Sequence, residues 1–273
     1  MKKLLLIGGD RRAACLAERL EQDGFQVETL GLGKNQQVHM DQADAVLFPY
    51  PFSVRGGQIP ALTEERIRPE EVLDHIRKDA LVIAQRGMEG YLPQDSFTLK
   101  RYTDAAGFEK RNAELSAEAA LFEAMRYGRR ALMDSTVLIT GYGLFGRALA
   151  LRLKAMEADV WIAARREQQR AQAIEDGMCA VSIAEMADVF SNMDLILNTV
   201  PARIFDEYQL GQIPATCMLL ELASAPYGFD MDTARAMGIL CELLPGLPAQ
   251  YSPMSAAMAL QKAVCELLGR NEK

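Results

Sequence analysis

From residue 136 onward, short apolar runs alternate with segments whose apolar residues recur at helical spacing. Short β-branched and apolar runs are typical of buried strands, and the longer period is typical of amphipathic helices. The runs are TVLIT, DVWIAA, CAVSI, DLILNTV, CMLLELA and ILCELL. Because parallel neighbours require crossover connections, this alternation predicts a doubly wound parallel sheet over residues 135–250.

The first 110 residues show a weaker form of the same alternation. KLLLIGG precedes a helical pattern, RRAACLAERLEQDG, and the further runs are QVETLG, DAVLFPY and LVIAQRG. The predicted fold class is therefore α/β, with two Rossmann-like doubly wound parallel-sheet domains. The first and smaller domain covers residues 1–110.

Two helices complete the predicted organisation. Residues 111–134 are rich in Ala, Leu and Glu and lack Pro, which indicates a long helix connecting the domains. Residues 251–273 predict a C-terminal helix, with apolar positions set among alanines. A helix after the sixth strand often leaves the nucleotide domain and packs on the other domain. Either arrangement, within the nucleotide domain or on the first domain, is open for this helix.

The most informative motif is GYGLFG, which follows a predicted strand and opens a helix. In that context Gly141 permits a tight turn, Gly143 lets the backbone approach a pyrophosphate, and Gly146 lets helix and strand pack closely. The pyrophosphate then lies at the positive end of the helix, where Leu144 and Phe145 begin it. The motif predicts an NAD(P) site, and the alternative is a glycine turn that binds nothing.

The second strand of this domain ends in IAARRE, where an NAD enzyme usually places an acid to hold the ribose hydroxyls. Arg165 and Arg166 instead suit a 2′-phosphate, through charge-assisted hydrogen bonds of about 1.5–3 kcal/mol. That energy corresponds to a preference for NADP of roughly ten- to a hundredfold. The alternative is a pair of solvated loop charges.

Two further segments follow later strands, NTVPA at residues 198–202 and ELASAPYGFD at residues 221–230. Ligands of doubly wound sheets bind outside the carboxyl ends of the strands, so we expect both segments to edge the nicotinamide. Taken alone, the prolines are ordinary loop punctuation. The residues predicted to contact the cofactor here are Asn198, Thr199, Val200, Pro201, Ala223 and Ser224.

Composition narrows the class of ligand. The 273 residues carry a net charge of −7, which argues against nucleic acid and acidic membranes, since both bind cationic faces. Five scattered cysteines without a C-x-x-C pair favour reduced thiols over metal ligands. The opening MKKLLLIGGDRR has only four consecutive apolar residues, too few for a signal peptide or a membrane span. We expect a cytoplasmic protein that binds a small molecule and no metal.

Seven segments together resemble the family of the A subunit of dipicolinate synthase, a sporulation enzyme, in order and over nearly the whole chain. They are LLLIGGDRR, NAELSAEAAL, VLITGYGLFGRALA, WIAARR, LILNTVPA, LELASAPYG and LLPGLPAQYSPMSAA. The resemblance implies two α/β domains like those of 2-hydroxyacid dehydrogenases. It implies NADP-linked formation of dipicolinate, pyridine-2,6-dicarboxylate, from the dihydro- or hydroxytetrahydro-dipicolinate intermediate of lysine synthesis. It also implies that the flavoprotein-like B subunit of dipicolinate synthase is the partner, and we expect a homo-oligomer.

The chain departs from the family's pattern in two places. Near the end, Met254 stands where the family usually has a lysine. The connecting helix reads Glu114, Leu115 and Ser116, with Ala119 in place of a glycine. If the family's lysine binds a substrate carboxylate, this chain binds the carboxylate differently or acts on another substrate.

A substrate with two carboxylates needs cationic donors from the first domain, placed so that a ring C–H faces the nicotinamide. Arg12, Arg55 and Arg86 are the candidates, because they lie beside glycines or in strand-end loops. Asp10 is placed to cap the helix that begins near Arg11.

Aromatisation of the ring after hydride loss needs a base. We predict Glu118 of the connecting helix in that role, oriented by Asn112 and Ser116, while buried capping roles would suit the same residues. Two other functions stay open. One is an NADP-dependent dehydrogenase of another small carboxylic acid, and the other is a nucleotide-binding scaffold without chemistry of its own.

Overall fold

The computed structural model describes residues 2–33, 38–92 and 97–270, and it divides into two compact units. The first unit comprises Met1–Asn112 together with Pro248–Lys273, and the second comprises Ala113–Leu247. One continuous helix, Phe108–Tyr127, begins in the first unit and ends in the second.

The described residues of the first unit form a sheet of five parallel strands with two helices between them. Their bounds are β1 Lys3–Ile7, α1 Arg11–Gln22, β2 Gln26–Leu30, β3 Ala45–Leu47, α2 Pro69–His75, β4 Leu81–Ala84 and β5 Thr98–Arg101. The strand order is β2-β1-β3-β4-β5. In sheets with this order ligands bind where the order reverses, here between β1 and β3.

The second unit holds six parallel strands. The helix that leads into it is α3, Phe108–Tyr127. The elements that follow in this unit are β6 Thr136–Thr140, α4 Leu144–Ala155, β7 Asp159–Ala163, α5 Glu167–Glu175, β8 Cys179–Val181, β9 Leu195–Asn198, α6 Glu207–Gly211, β10 Met218–Glu221, α7 Met231–Ala236 and β11 Leu240–Leu243. The short helix α8, Leu247–Tyr251, begins at the last residue of the second unit, and its other residues belong to the first. The order β11-β10-β9-β6-β7-β8 is that of a dinucleotide-binding Rossmann sheet, whose order reverses between β6 and β9.

The central strands are apolar almost throughout because both faces of each sheet are covered. All five residues of β1 and all four of β9 are buried. Strands of parallel sheets that are covered on both faces read as continuous apolar runs rather than as alternating patterns. This burial accounts for the strength of the strand signal in the sequence.

The C-terminal helix, α9 at Pro253–Leu267, returns to the first unit. It packs against α1, and the two helices share a core that includes Leu16, Leu20, Leu260 and Val264. The predicted fold class, with two Rossmann-like parallel sheets, is confirmed.

Three details differ from the sequence expectations. Two elements were not predicted, the strand β5 and the short helix α2. The sequence of β5, TLKR, is that of an edge strand with a single apolar residue. The connecting helix ends at Tyr127 rather than at 134. Gly128 follows it, and the chain then forms a single 3-10 turn at Leu132–Asp134 before β6.

Candidate functional site

The glycine loop lies where the strand order of the second sheet reverses. Gly141 has a φ of +88°, and a Cβ added there would lie 2.8 Å from Val200 Cγ2 and 2.9 Å from Thr199 Oγ1. A Cβ on Gly146 would collide with the carbonyl oxygen of Gly141. Gly143, the N-cap of α4, would place its Cβ in open space. Glycine is therefore required for the turn and the helix contact, and the open face over Gly143 suits a pyrophosphate.

Tyr142, between the first two glycines, is anchored to the end of α5. It is 5% exposed, and its hydroxyl donates to Asp176 Oδ2 at 2.6 Å. Arg147 Nε donates to the same oxygen at 2.8 Å. Burial, and then the contact with Asp176, raises the pKa of Tyr142, while Arg147 foremost and Tyr142 next lower the pKa of Asp176 to about 2. This cluster ties the glycine loop to the β6–β8 half of the sheet.

The arginine pair follows the strand beside β6. Arg165 and Arg166 are exposed at the carboxyl end of β7. Arg170 of α5 donates through Nη1 to the carbonyl oxygens of Ala164 and Arg165, each at 3.0 Å. Two exposed cations therefore stand on a turn whose backbone a third arginine holds. Arg170 was not predicted as a site residue, although it belongs to the same arginine-rich segment.

A buried polar network joins the carboxyl ends of β6, β9 and β10. Thr140 Oγ1 donates to Asn198 Oδ1 at 2.5 Å, and Asn198 Nδ2 donates to the two oxygens of Glu221 at 2.7 and 2.8 Å. All three side chains are fully buried. Burial raises the pKa of Glu221, and hydrogen bonds from Gly228 N–H, Ala223 N–H and Asn198 oppose that shift.

The predicted cofactor residues around this network differ in exposure. Asn198 uses its side chain within the network, whereas the Thr199 hydroxyl donates to the Thr140 carbonyl oxygen at 2.6 Å and lies against the glycine loop. The structure therefore brings the loop after β9 and the glycine loop together. Leu144, Pro201 and Ser224 are exposed, Phe145, Thr199 and Val200 are half-buried, and Asn198 and Ala223 are buried.

The three candidate arginines of the first unit follow β1, β3 and β4, at the same edge of the sheet. Arg55 and Arg86 are exposed. Arg12 is 3% exposed and forms a bidentate pair with Asp10, from Nε to Oδ1 at 3.0 Å and from Nη2 to Oδ2 at 2.6 Å. Asp10 also caps α1, as predicted, by accepting the backbone N–H of Arg12. Asp10 thus compensates the charge of Arg12 inside the turn. This ion pair was not predicted from the sequence.

The candidate catalytic residues occupy two sides of α3. Asn112 and Ser116 are half-buried and one helical turn apart, so they share a face. Glu118 is exposed and lies two positions beyond Ser116, which places it on another side of the helix. Asn112 belongs to the first unit, and Ser116 and Glu118 belong to the second.

Two family models match different parts of the chain, and one known protein matches nearly the whole chain. Residues 3–88 match the sequence model of the N-terminal domain of the dipicolinate synthase A subunit. The A subunit of dipicolinate synthase from Bacillus subtilis strain 168 is 23% identical in an alignment of 283 positions, which covers 97% of this chain and 95% of that protein. The resemblance to the A subunit of dipicolinate synthase is confirmed. Residues 105–226 match the NAD binding domain of the D-isomer specific 2-hydroxyacid dehydrogenases.

Solved structures show the same fold. The dipicolinate synthase A subunit from Bacillus halodurans has a TM-score of 0.88 at 23% identity, covering 99% of this chain and 98% of that chain. The dipicolinate synthase A chain from Bacillus subtilis has a TM-score of 0.84 at 22% identity, covering 98% and 96%. A transhydrogenase from Sinorhizobium meliloti has a TM-score of 0.66 at 15% identity, covering 97% and 93%.

These matches support a nicotinamide dinucleotide cofactor and a dehydrogenase-like oxidoreductase role. Among the described residues, no helix has the length and apolar character needed to cross a membrane. The same ranges contain no group of three or more His, Cys, Asp or Glu side chains that could hold a metal ion.

Proposed function

We propose that the chain is the NADP-linked component of a dipicolinate synthase, acting on dihydro- or hydroxytetrahydro-dipicolinate during sporulation. The observation that carries this proposal is the end-to-end match to the A subunit of dipicolinate synthase, combined with an open glycine loop at the switch point of a Rossmann sheet. The flavoprotein-like B subunit of that enzyme is the proposed partner, alongside copies of this chain in a homo-oligomer. The proposed location is the cytoplasm of the mother cell.

NADP is the proposed cofactor because of the charges at the end of β7. Arg165 and Arg166 are exposed there, and no acid occupies the position that holds ribose hydroxyls in NAD enzymes. Arginine presents several N–H donors in a planar fork that suits phosphate oxygens. Arg170 fixes the backbone of this turn by donating hydrogen bonds to two of its carbonyl oxygens.

The proposed reaction is a dehydrogenation that makes a ring aromatic. Dihydrodipicolinate loses a hydride to NADP⁺ and a proton to a base, giving dipicolinate and NADPH, and the hydroxytetrahydro compound first loses water. Bound NADP⁺ supplies the hydride acceptor. Glu118, exposed on α3, is the proposed base, and Asn112 and Ser116, which share a different face of α3, are the proposed orienting residues.

Arginines of the first unit are the proposed carboxylate donors. Arg55 and Arg86 present their charge to solvent at the sheet edge where ligands bind. Arg12 is already paired with Asp10, so we propose that it contributes through the shape of the β1 turn as well as through its charge. Met254, exposed at the start of α9, offers no cation in place of the family's lysine.

Turnover of the purified chain tests the proposal. The chain is incubated with NADP⁺ and dihydrodipicolinate, with and without the B subunit, while NADPH absorbance and dipicolinate are both followed. Formation of both products in equal amounts, lost in Gly143→Val, is the expected result. NADPH binding without turnover under either condition would favour a non-catalytic scaffold, and turnover only with other small carboxylic acids would favour a different dehydrogenase.

A further inference from the structure

Glu221 is a buried carboxylate at the end of β10 to which the proposed chemistry assigns no role. It accepts two hydrogen bonds from Asn198 Nδ2, one from Ala223 N–H at 2.9 Å and one from Gly228 N–H at 2.7 Å. We propose that Glu221 is a positioning residue that joins the loop after β9 to the loop after β10 and shapes the nicotinamide half of the dinucleotide site.

The loop after β10 is closed on itself by this carboxylate. Its two oxygens receive the N–H groups of Ala223 and Gly228, near the two ends of the loop. Between them Tyr227 has a φ of 61°, a left-handed conformation that residues other than glycine rarely adopt. Such a conformation persists only where the surrounding contacts hold it. Here the Glu221 carboxylate accepts the N–H of the next residue, Gly228, and the Ser224 carbonyl oxygen accepts the N–H of Tyr227 at 3.2 Å.

Gly228 connects the same loop to the segment after β9. Its carbonyl oxygen accepts the N–H groups of Ile204 and Phe205, each at 3.0 Å. A Cβ added to Gly228 would collide with the side chain of Asn198. Gly228 therefore leaves room for the side-chain amide of Asn198, which Glu221 binds. The contacts among these three residues fix both the loop after β9 and the loop after β10.

The position of this network in the sheet decides what it can influence. Each three-stranded half of a Rossmann sheet binds one half of a dinucleotide, with the pyrophosphate at the first glycine loop. The loops that Glu221 joins follow β9 and β10, in the half that takes the nicotinamide under the proposed function, on which this inference rests. The arginine pair lies in the other half, after β7.

Comparing a whole cofactor with a fragment that lacks the nicotinamide separates positioning from folding. In Glu221→Gln, one acceptor oxygen becomes an NH₂ group that faces N–H donors. The dissociation constant for NADPH should rise about tenfold while that for 2′,5′-ADP stays at the wild-type value. Gly228→Ala keeps the carboxylate but displaces Asn198, and it should show the same split. Calorimetric titration of the full-length chain measures both ligands.

Asp194→Ala is the matched control, because Asp194 precedes β9 at its opposite end and accepts the N–H of Thr136 at 2.9 Å. It should lower the melting temperature and leave both affinities unchanged. The positioning role is overturned if the Glu221 and Gly228 variants lose affinity for NADPH and 2′,5′-ADP by the same factor. It is also overturned if both variants bind both ligands as tightly as wild type does. If Glu221→Gln does not fold, the result for Gly228→Ala decides. If wild type binds neither ligand, the nucleotide function itself fails and takes the inference with it.

Discussion

The turns after β1 and β6 are both glycine-rich and both stand at the switch point of a parallel sheet, but only the second is open. In the first turn, Gly9 N–H donates to the Pro60 carbonyl oxygen at 2.6 Å, and a Cβ on Gly8 would lie 2.7 Å from that oxygen. In the second turn, a Cβ on Gly143 would meet nothing within 4 Å. The chain itself fills the first turn. A glycine turn therefore becomes a candidate phosphate site only where the backbone next to the helix N-terminus is left uncovered.

The largest expected effect comes from closing the open turn. Gly143 has a φ of −84°, which any residue adopts, so Gly143→Val should fold. Its branched side chain would occupy the space for the pyrophosphate, and NADPH affinity should fall by more than about a hundredfold. Thermal shift with and without NADPH measures this. Equal stabilisation of the variant and wild type by NADPH would show that the glycine turn after β6 does not hold the nucleotide.

The filled turn supplies the companion variant. Gly8→Ala forces a φ of +53° on alanine and a contact with the Pro60 carbonyl oxygen. The free energy of unfolding should fall by about 1–3 kcal/mol, while the stabilisation that NADPH adds should remain. A loss of NADPH binding with intact stability would show that the first turn holds nucleotide.

Glu118→Gln tests the proposed base. Turnover should slow by about a hundredfold, because the amide cannot accept a proton, while affinities for NADPH and substrate stay the same. Single-turnover kinetics give the rate of the chemical step. Glu114→Gln, one turn earlier on α3, is the matched control and should retain the wild-type rate. A wild-type rate in Glu118→Gln would remove this residue from the mechanism.

Arg86→Ala and Arg12→Ala should differ in what they weaken. Arg86 is exposed, so its loss should weaken dipicolinate binding by about 1.5–3 kcal/mol and leave NADPH affinity and stability unchanged. Arg12 is buried against Asp10, and breaking that pair should lower the free energy of unfolding as well. Calorimetry and denaturant unfolding separate the two outcomes. If both arginine variants lose NADPH and keep dipicolinate, the roles of the two units have been exchanged.

Selectivity between the two nicotinamide cofactors sharpens the assignment of the β7 turn. Wild type should bind NADPH roughly ten to a hundred times better than NADH, and Arg165→Ala with Arg166→Ala should reduce that ratio to a few-fold. Arg66→Ala with Arg68→Ala removes two exposed arginines from the first unit and should keep the ratio. Equal affinities in wild type would leave the β7 arginines as solvated charges.

The smallest predicted effect concerns the anchor of the glycine loop. Folding lowers the pKa of Asp176 from its usual 3.8 to about 2. The ionised carboxylate therefore stabilises the fold fully at pH values above about 3.8. That contribution is lost as pH falls toward 2. Tyr142→Phe removes one hydrogen bond to Asp176, and it should cost about 1 kcal/mol at neutral pH and move acid unfolding to a higher pH. Tyr208→Phe, at an exposed tyrosine, should change neither.

Elements with strong local signals could be predicted. Short runs of apolar and β-branched residues identified ten of the eleven strands in the described part of the chain, and the exception, β5, is an edge strand with only one apolar residue, Leu99. The GYGLFG motif could be recognised because its glycines are needed for local reasons. In the structure, Gly141 makes the tight turn and Gly146 allows the close contact between helix and turn. Asp10 was recognisable as a cap because capping joins neighbours in sequence.

Sequence alone therefore determined the alternation of strands and helices, the two parallel sheets and the position of the glycine loop, since periodicity and glycine spacing are local properties. Three features depend on the folded chain: the burial of Arg12 beside Asp10, the contact of Arg170 with the β7 turn, and the contact between Glu221 and Asn198. Glu221 and Asn198 lie 23 positions apart and come together because β9 and β10 pair in register. Strand order and register decide which polar side chains are buried against each other. Neither can be predicted from a local pattern in the chain.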